Sequence, residues 1–159
     1  MLNKLKYIFI RGSLKKHIKD MQMPRIMAKT TAVYPSKDNL NILNEQEKPF
    51  STTLLNLIDK KGITDVECYK RANIDRKLFS KIRSNIDYKP SKNTVLALVV
   101  ALKLNYSEAD TLLCSAGYSL SKSFITDIII MYFIKRKNYD INLINIALDD
   151  YNQAPLGSF

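Results

Sequence analysis

From residue 50 onward, apolar residues recur at three- and four-residue intervals, with no strand-turn-strand rhythm. Leu54, Leu57 and Ile58 share one face and predict a first helix over about 51–61, with Ser51, Thr52 or Thr53 as its cap. Gly62 supplies a left-handed stop. Thr64 caps the second helix, and Glu67 three residues later completes a capping box. Asn73 ends that helix, because Asn tolerates positive φ better than any residue except Gly. Asp75 caps a third helix with Leu78, Phe79 and Ile82 inward. Pro90 closes the following loop, Ser91 or Asn93 caps a fourth helix, and Val95, Leu96, Val99 and Leu102 form its stripe. Ser107 opens a fifth, which closes at Gly117.

Beyond Tyr118 the pattern predicts two more helices, over about 121–136 and 140–151, carrying Phe124, Ile128, Ile129, Tyr132, Phe133 and the run from Ile144 to Leu148. Before residue 50 it weakens. Leu2, Leu5, Ile8 and Phe9 recur at near-helical spacing among lysines, which predicts a basic amphipathic helix over 2–22. Docking of that helix on the main core is the first reading, and contact with a membrane surface or nucleic acid is the alternative. Pro24, Pro35 and Pro49 punctuate a polar stretch, read as a linker with one weak helix near 38–47. Ordered globular structure is expected to start at Phe50. The chain thus reads as all-α: a basic arm and linker over 1–49, a five-helix domain over 50–120, and a helical extension over 121–159. That extension either packs on the core or mediates oligomerisation.

Size and composition narrow the class. A chain of 159 residues can bury one sizeable core, and an apolar content of 46% excludes a largely disordered polymer. The net charge of +10 is unevenly placed: residues 1–48 carry +6, residues 49–120 carry +4, and residues 121–159 are neutral. Positive charge on the arm and the middle of the chain is the footprint expected of a nucleic-acid binder, against the plainer reading of a solvated Lys-rich surface.

The two cysteines, Cys68 and Cys114, lie far apart, and the single histidine, His17, has no metal-ligating neighbour at useful spacing. No metal or other cofactor is expected, both thiols read as buried, and His17 reads as a surface residue. The run Ile128–Ile134 is too short for a bilayer and is closed by Lys135, Arg136 and Lys137. A cytoplasmic protein without integral membrane association is expected.

Five short helices with these caps resemble the Xre or lambda-repressor-like helix-turn-helix family over about residues 52–118. The matching elements are Lys61-Gly62-Ile63-Thr64, the turn Asn73-Ile74-Asp75-Arg76, Ser80-Lys81-Ile82, Lys89-Pro90-Ser91, the pairs Ala97-Leu98 and Ala101-Leu102, and Ala116-Gly117-Tyr118. Residues 50–158 as a whole also resemble a bacterial all-helical module, a likeness that implies a fold and an extension but no activity. The chain departs from the family at two positions. Asp65 stands where the family has a glutamine that bonds a phosphate, and Tyr69 stands where it prefers a small residue at the helix crossing.

The resemblance implies DNA binding through the third helix. Arg76 and Lys77 occupy its first turn, where the family reaches base edges, with Lys81 one turn further on and Arg83 beyond it; Lys89, Lys92 and Asn93 would meet backbone phosphate. No nucleophile elbow, paired carboxylates or glycine-rich phosphate loop is present, so an enzyme is not expected. The leading expectation is a non-enzymatic DNA-binding protein, a transcriptional regulator among other roles, with a homodimer or protein partner engaged through 121–159. The alternative is a protein-interaction adaptor that reuses the same scaffold.

Overall fold

Eight helices and no strand make up residues 2–22 and 48–157, the part of the chain that the structure, a computed structural model, describes. They are α1 (Leu2–Gln22), α2 (Phe50–Lys61), α3 (Asp65–Arg71), α4 (Arg76–Ser84), α5 (Lys92–Ala101), α6 (Tyr106–Ser115), α7 (Ile125–Lys135) and α8 (Ile141–Asp150). The all-α expectation therefore holds for the described residues. The weak helix expected near 38–47 lies outside them.

Two helices form the centre, and their sequences show why. In α5 every residue from Val95 to Ala101 is buried, and in α7 so is every residue from Asp127 to Ile134. A helix that is apolar all round cannot leave a face in water. Accordingly α5 packs against α3, α6 and α8, while α7 packs against α1, α6 and α8. Each Leu or Ile so enclosed contributes about 1.5–3 kcal/mol relative to an exposed one.

Most predicted boundaries coincide with local chemistry. Gly62 takes φ +63° and Gly117 φ +79°, ending α2 and α6 in the left-handed region. Ser91 Oγ accepts from the Thr94 N–H and so caps α5 in place of Asn93. Three boundaries differ from the expectation. Helix α2 starts at Phe50 without a side-chain cap, because Ser51 is buried in its first turn. Helix α6 starts two residues early: Asn105 Oδ1 accepts from the Glu108 N–H while Glu108 Oε2 accepts from the Asn105 N–H, a reciprocal cap that places Ser107 inside the helix. Helix α7 starts only at Ile125, because the Ser121 N–H is drawn to Asp127 Oδ2 at 2.9 Å and holds the preceding loop off the helix axis.

The largest correction concerns α1. Ordered structure does not begin at Phe50, since Tyr7, Leu14 and Ile18 are buried in the same core as α5 and α7. The inward face is the reverse of the one the apolar spacing suggested: Leu5 is 54%, Ile8 64% and Phe9 88% exposed. Polar anchors support this choice. The Tyr7 hydroxyl donates to Asp150 Oδ2 at 3.1 Å, and Arg11 Nε lies 3.0 Å from the same oxygen. These contacts add to the apolar stripe of Tyr7, Ile10, Leu14, Ile18 and Met21 that packs on the core.

The segment after α6 is bound to the rest by specific contacts. Tyr139 donates to the Leu104 carbonyl at 2.8 Å, and Asn145 pairs with both the N–H and the carbonyl of Leu156. The apolar side chains of α7 and α8 are spent on the interior of the protomer, which leaves Phe124 as the large exposed apolar residue of 121–157.

Candidate nucleic-acid interface

Helix α3, its turn and α4 are fixed by hydrogen bonds that the side-chain pattern dictates. Thr64 Oγ1 accepts from the Glu67 N–H at 3.2 Å, and the Thr64 N–H donates to Glu67 Oε2 at 2.9 Å. The Thr64 N–H, and then the Thr64 hydroxyl donating to the same oxygen at 3.1 Å, hold the Glu67 carboxyl below its ordinary range, with Arg71 adding to the effect at 3.6 Å. Asn73 takes φ +51°, so the chain reverses and the Ile74 N–H reaches the Tyr69 carbonyl at 2.9 Å. Ile74 is buried there, and Asp75 Oδ1 accepts from the Lys77 N–H at 2.5 Å to start α4.

Helix α4 turns Phe79 and Ile82 inward. With 3.6 residues per turn, Arg76, Lys77, Ser80 and Lys81 share the outer side, and all of them are exposed. Arg76 and Lys77 form no ion pair among the described residues. Lys81 Nζ sits 4.8 Å from the centre of the Tyr88 ring, a cation–π contact that holds it over the loop after α4. Lys89 is exposed beside that ring.

The other three expected contact residues are engaged within the fold. Arg83 pairs with Asp65 across α4 and α3. Lys92 Nζ lies 2.6 Å from Asp127 Oδ2, whose side chain is 1% exposed, so Lys92 neutralises the one buried charge of α7. The Asn93 side-chain amide donates to the Pro155 carbonyl at 3.3 Å. Arg76, Lys77, Lys81 and Lys89 are left as outward cations, while Arg83, Lys92 and Asn93 hold helices and tail together.

Both departures from the resembling family acquire a physical account. Asp65 is the partner of Arg83 and stitches α3 to α4. Tyr69 stacks on Phe79, with ring centroids 5.7 Å apart and tilted by 49°, and so fills the crossing between the two helices.

Sequence reasoning missed a second basic region, between α1 and α7. Ser13, Lys16, His17, Asp20, Tyr132, Lys135 and Arg136 line a recess of about 290 Å³. His17 is half-buried, not the surface residue expected, and its ring lies 5.4 Å from that of Tyr132. The only signal in the sequence was the Lys135-Arg136-Lys137 cluster, which had read simply as the end of an apolar run.

Among the described residues, no group of His, Cys, Asp and Glu could hold a metal ion, and no helix is long and apolar enough to cross a membrane. Compared with known proteins, the chain matches no family model, no curated protein and no solved structure.

Proposed function

We propose that α2 to α6 form a lambda-repressor-like helix-turn-helix core and that the protein binds duplex DNA, with α4 in the major groove. The observation that carries this reading is the outer side of α4: Arg76, Lys77 and Lys81 are exposed together on a helix whose start is fixed by Asp75 and by the Asn73 turn. Arg and Lys at the first turn of such a helix suit guanine edges, and Lys89 on the following loop suits a phosphate. The protein would act without catalysis, as a regulator whose site is chosen by these side chains. Selection of bound genomic fragments at physiological salt tests it. An enriched motif supports the reading, and failure to retain any duplex contradicts it.

A second reading, an adaptor that meets a protein partner through the same face, rests on a different observation. Val66 on α3 is 46% exposed and Ile86 after α4 is 56% exposed, and these apolar side chains flank the basic helix. Arg83, Lys92 and Asn93 are committed to internal contacts, which leaves fewer groups for phosphate. Val66→Ser with Ile86→Ser separates the two readings, because DNA affinity should survive that change and a protein contact should not.

A further inference from the structure

The recess between α1 and α7 combines three features that the proposed DNA contact does not use. The first is an excess of positive charge, three cations against the one carboxylate of Asp20. Lys16, Lys135 and Arg136 converge on it, and none of them forms an ion pair among the described residues. Arg136 is instead held in place by the Ser13 hydroxyl and by the face of Tyr132, 4.4 Å from its guanidinium carbon. A guanidinium fixed in this way is pre-organised to pair with an oxyanion.

The second feature is an unmet hydrogen bond. His17 Nε2 is buried and has no hydrogen-bond partner among the described residues. Burial, and then Lys135 and Arg136 beside the ring, hold this imidazole below its ordinary pKa, with Asp20 acting weakly in the opposite direction. A buried ring nitrogen without a partner is costly, and the ring it belongs to lines both recesses, so His17 senses whatever fills them.

The third feature is an adjoining apolar recess. A second concavity of about 390 Å³ shares His17 and Lys135 with the first, and its walls are Met21, Tyr106, Met131 and Ile134, with Lys122 at the rim. Tyr106 is 52% exposed at the start of α6. Thioether and aromatic walls favour flat, polarisable ligands.

We propose that these joined recesses bind a nucleoside phosphate, with the phosphate among Lys16, Lys135 and Arg136 and the base against Tyr106, Met131 and Met21. A plain inorganic anion would leave the apolar half empty. A sugar phosphate has no planar ring to lie against the thioether and aromatic walls, whereas a nucleoside phosphate brings a base that can stack there. A ligand with one anionic end and one flat end fits both halves.

The full chain contains a single histidine, so its imidazole proton resonances report on this site without ambiguity. The experiment titrates adenosine 5′-phosphate, inorganic phosphate and glucose 6-phosphate into the protein, reading the His17 resonances by NMR and the affinity by calorimetry. The nucleotide should move His17 and bind about tenfold or more tightly than either of the others, the gain expected from burying a planar base. Lys16→Ala with Lys135→Ala, both exposed, should weaken it by at least about tenfold through loss of charge-assisted bonds. Tyr106→Ala should bring the nucleotide down to the affinity of glucose 6-phosphate, while Lys70→Ala, a surface cation elsewhere, should change nothing. Equal affinities for all three phosphates would overturn the nucleoside assignment. An unmoved His17, or a nucleotide affinity indifferent to Lys16 and Lys135, would overturn the site.

Discussion

Gly157 lies directly against Asn73. A β-carbon placed on Gly157 would stand 2.7 Å from the Asn73 carbonyl oxygen and 2.9 Å from that of Ala72, while Gly157 itself holds φ +92°. The end of the described chain is thus pressed onto the turn that joins α3 to α4. Pro155 accepts from Asn93 and Asn145 clamps Leu156, so the tail reaches this turn along a fixed path. The geometry of the proposed DNA-contacting helix depends on the last few residues as well as on its own caps.

Gly157→Ala should therefore destabilise the fold by about 1–3 kcal/mol, because it combines a strained backbone with a clash against main-chain atoms that cannot swing away. Gly12→Ala is the contrasting change: a β-carbon there meets nothing within 4 Å and lies inside α1. It should stabilise by about 0.5–1 kcal/mol. Urea midpoints for the two variants, moving in opposite directions, check this account of the tail.

The pair of Lys92 and Asp127 fastens α5 to α7. Asp127 also accepts from the Ser121 N–H, so its buried carboxylate serves two partners. Asp127→Ala should cost about 3–5 kcal/mol, since it strands a half-buried ammonium and an N–H together. Lys92→Met combined with Asp127→Leu should recover part of that loss. Chemical denaturation of the two variants beside the parent protein measures the loss and its recovery.

Acid should loosen the junction between α2 and α6. Glu108 accepts from Lys61 at 2.9 Å and Lys60 at 3.2 Å, and its carboxyl is held down at about 2, chiefly by the Lys61 bond. The folded value lies below the ordinary 4.5, so this contribution is complete above about pH 4.5 and is lost as the pH falls toward 2. Glu108→Gln should flatten the stability profile in that window and cost about 1 kcal/mol at neutral pH, because Lys60 is largely solvated. Thermal melts between pH 2 and pH 6 provide the comparison.

Helices α5 and α7 end on left-handed lysines, Lys103 at φ +51° and Lys137 at φ +52°. The conformation costs a β-carbon-bearing residue about 1 kcal/mol or more. Lys103→Gly should accordingly raise the melting temperature by a few degrees despite its greater unfolded-state entropy, while Lys103→Val should lower it.

How much of this was legible in the sequence depends on the range of the interaction. Thr64 with Glu67, Asn73 and Asp75 act within four residues of themselves, and the helices they define stand where the pattern predicts. Ser107 misled because Asn105, two residues earlier, pairs reciprocally with Glu108 and starts the helix first. The face of α1 was legible but misassigned: Leu5, Ile8 and Phe9 cluster at one end, whereas Tyr7, Ile10, Leu14, Ile18 and Met21 recur along the whole helix and pack inward. What the spacing could not show is the anchor at Asp150, more than 140 positions from Tyr7. The roles of Lys92 and Asn93 were hidden for the same reason, since their partners Asp127 and Pro155 belong to a different part of the chain. The recess at His17 needed α1 and α7 side by side before its lysines could be seen to converge.

The central claim is that α4 reads DNA with Arg76 and Lys77. The most direct measurement is the affinity of Arg76→Ala with Lys77→Ala for a selected duplex and for scrambled duplex, by anisotropy across a salt series. The double variant should keep its fold and lose about 2–5 kcal/mol on the selected duplex, with a much smaller loss on scrambled DNA. An unchanged preference for the selected duplex would contradict the assignment of α4 as the reading helix.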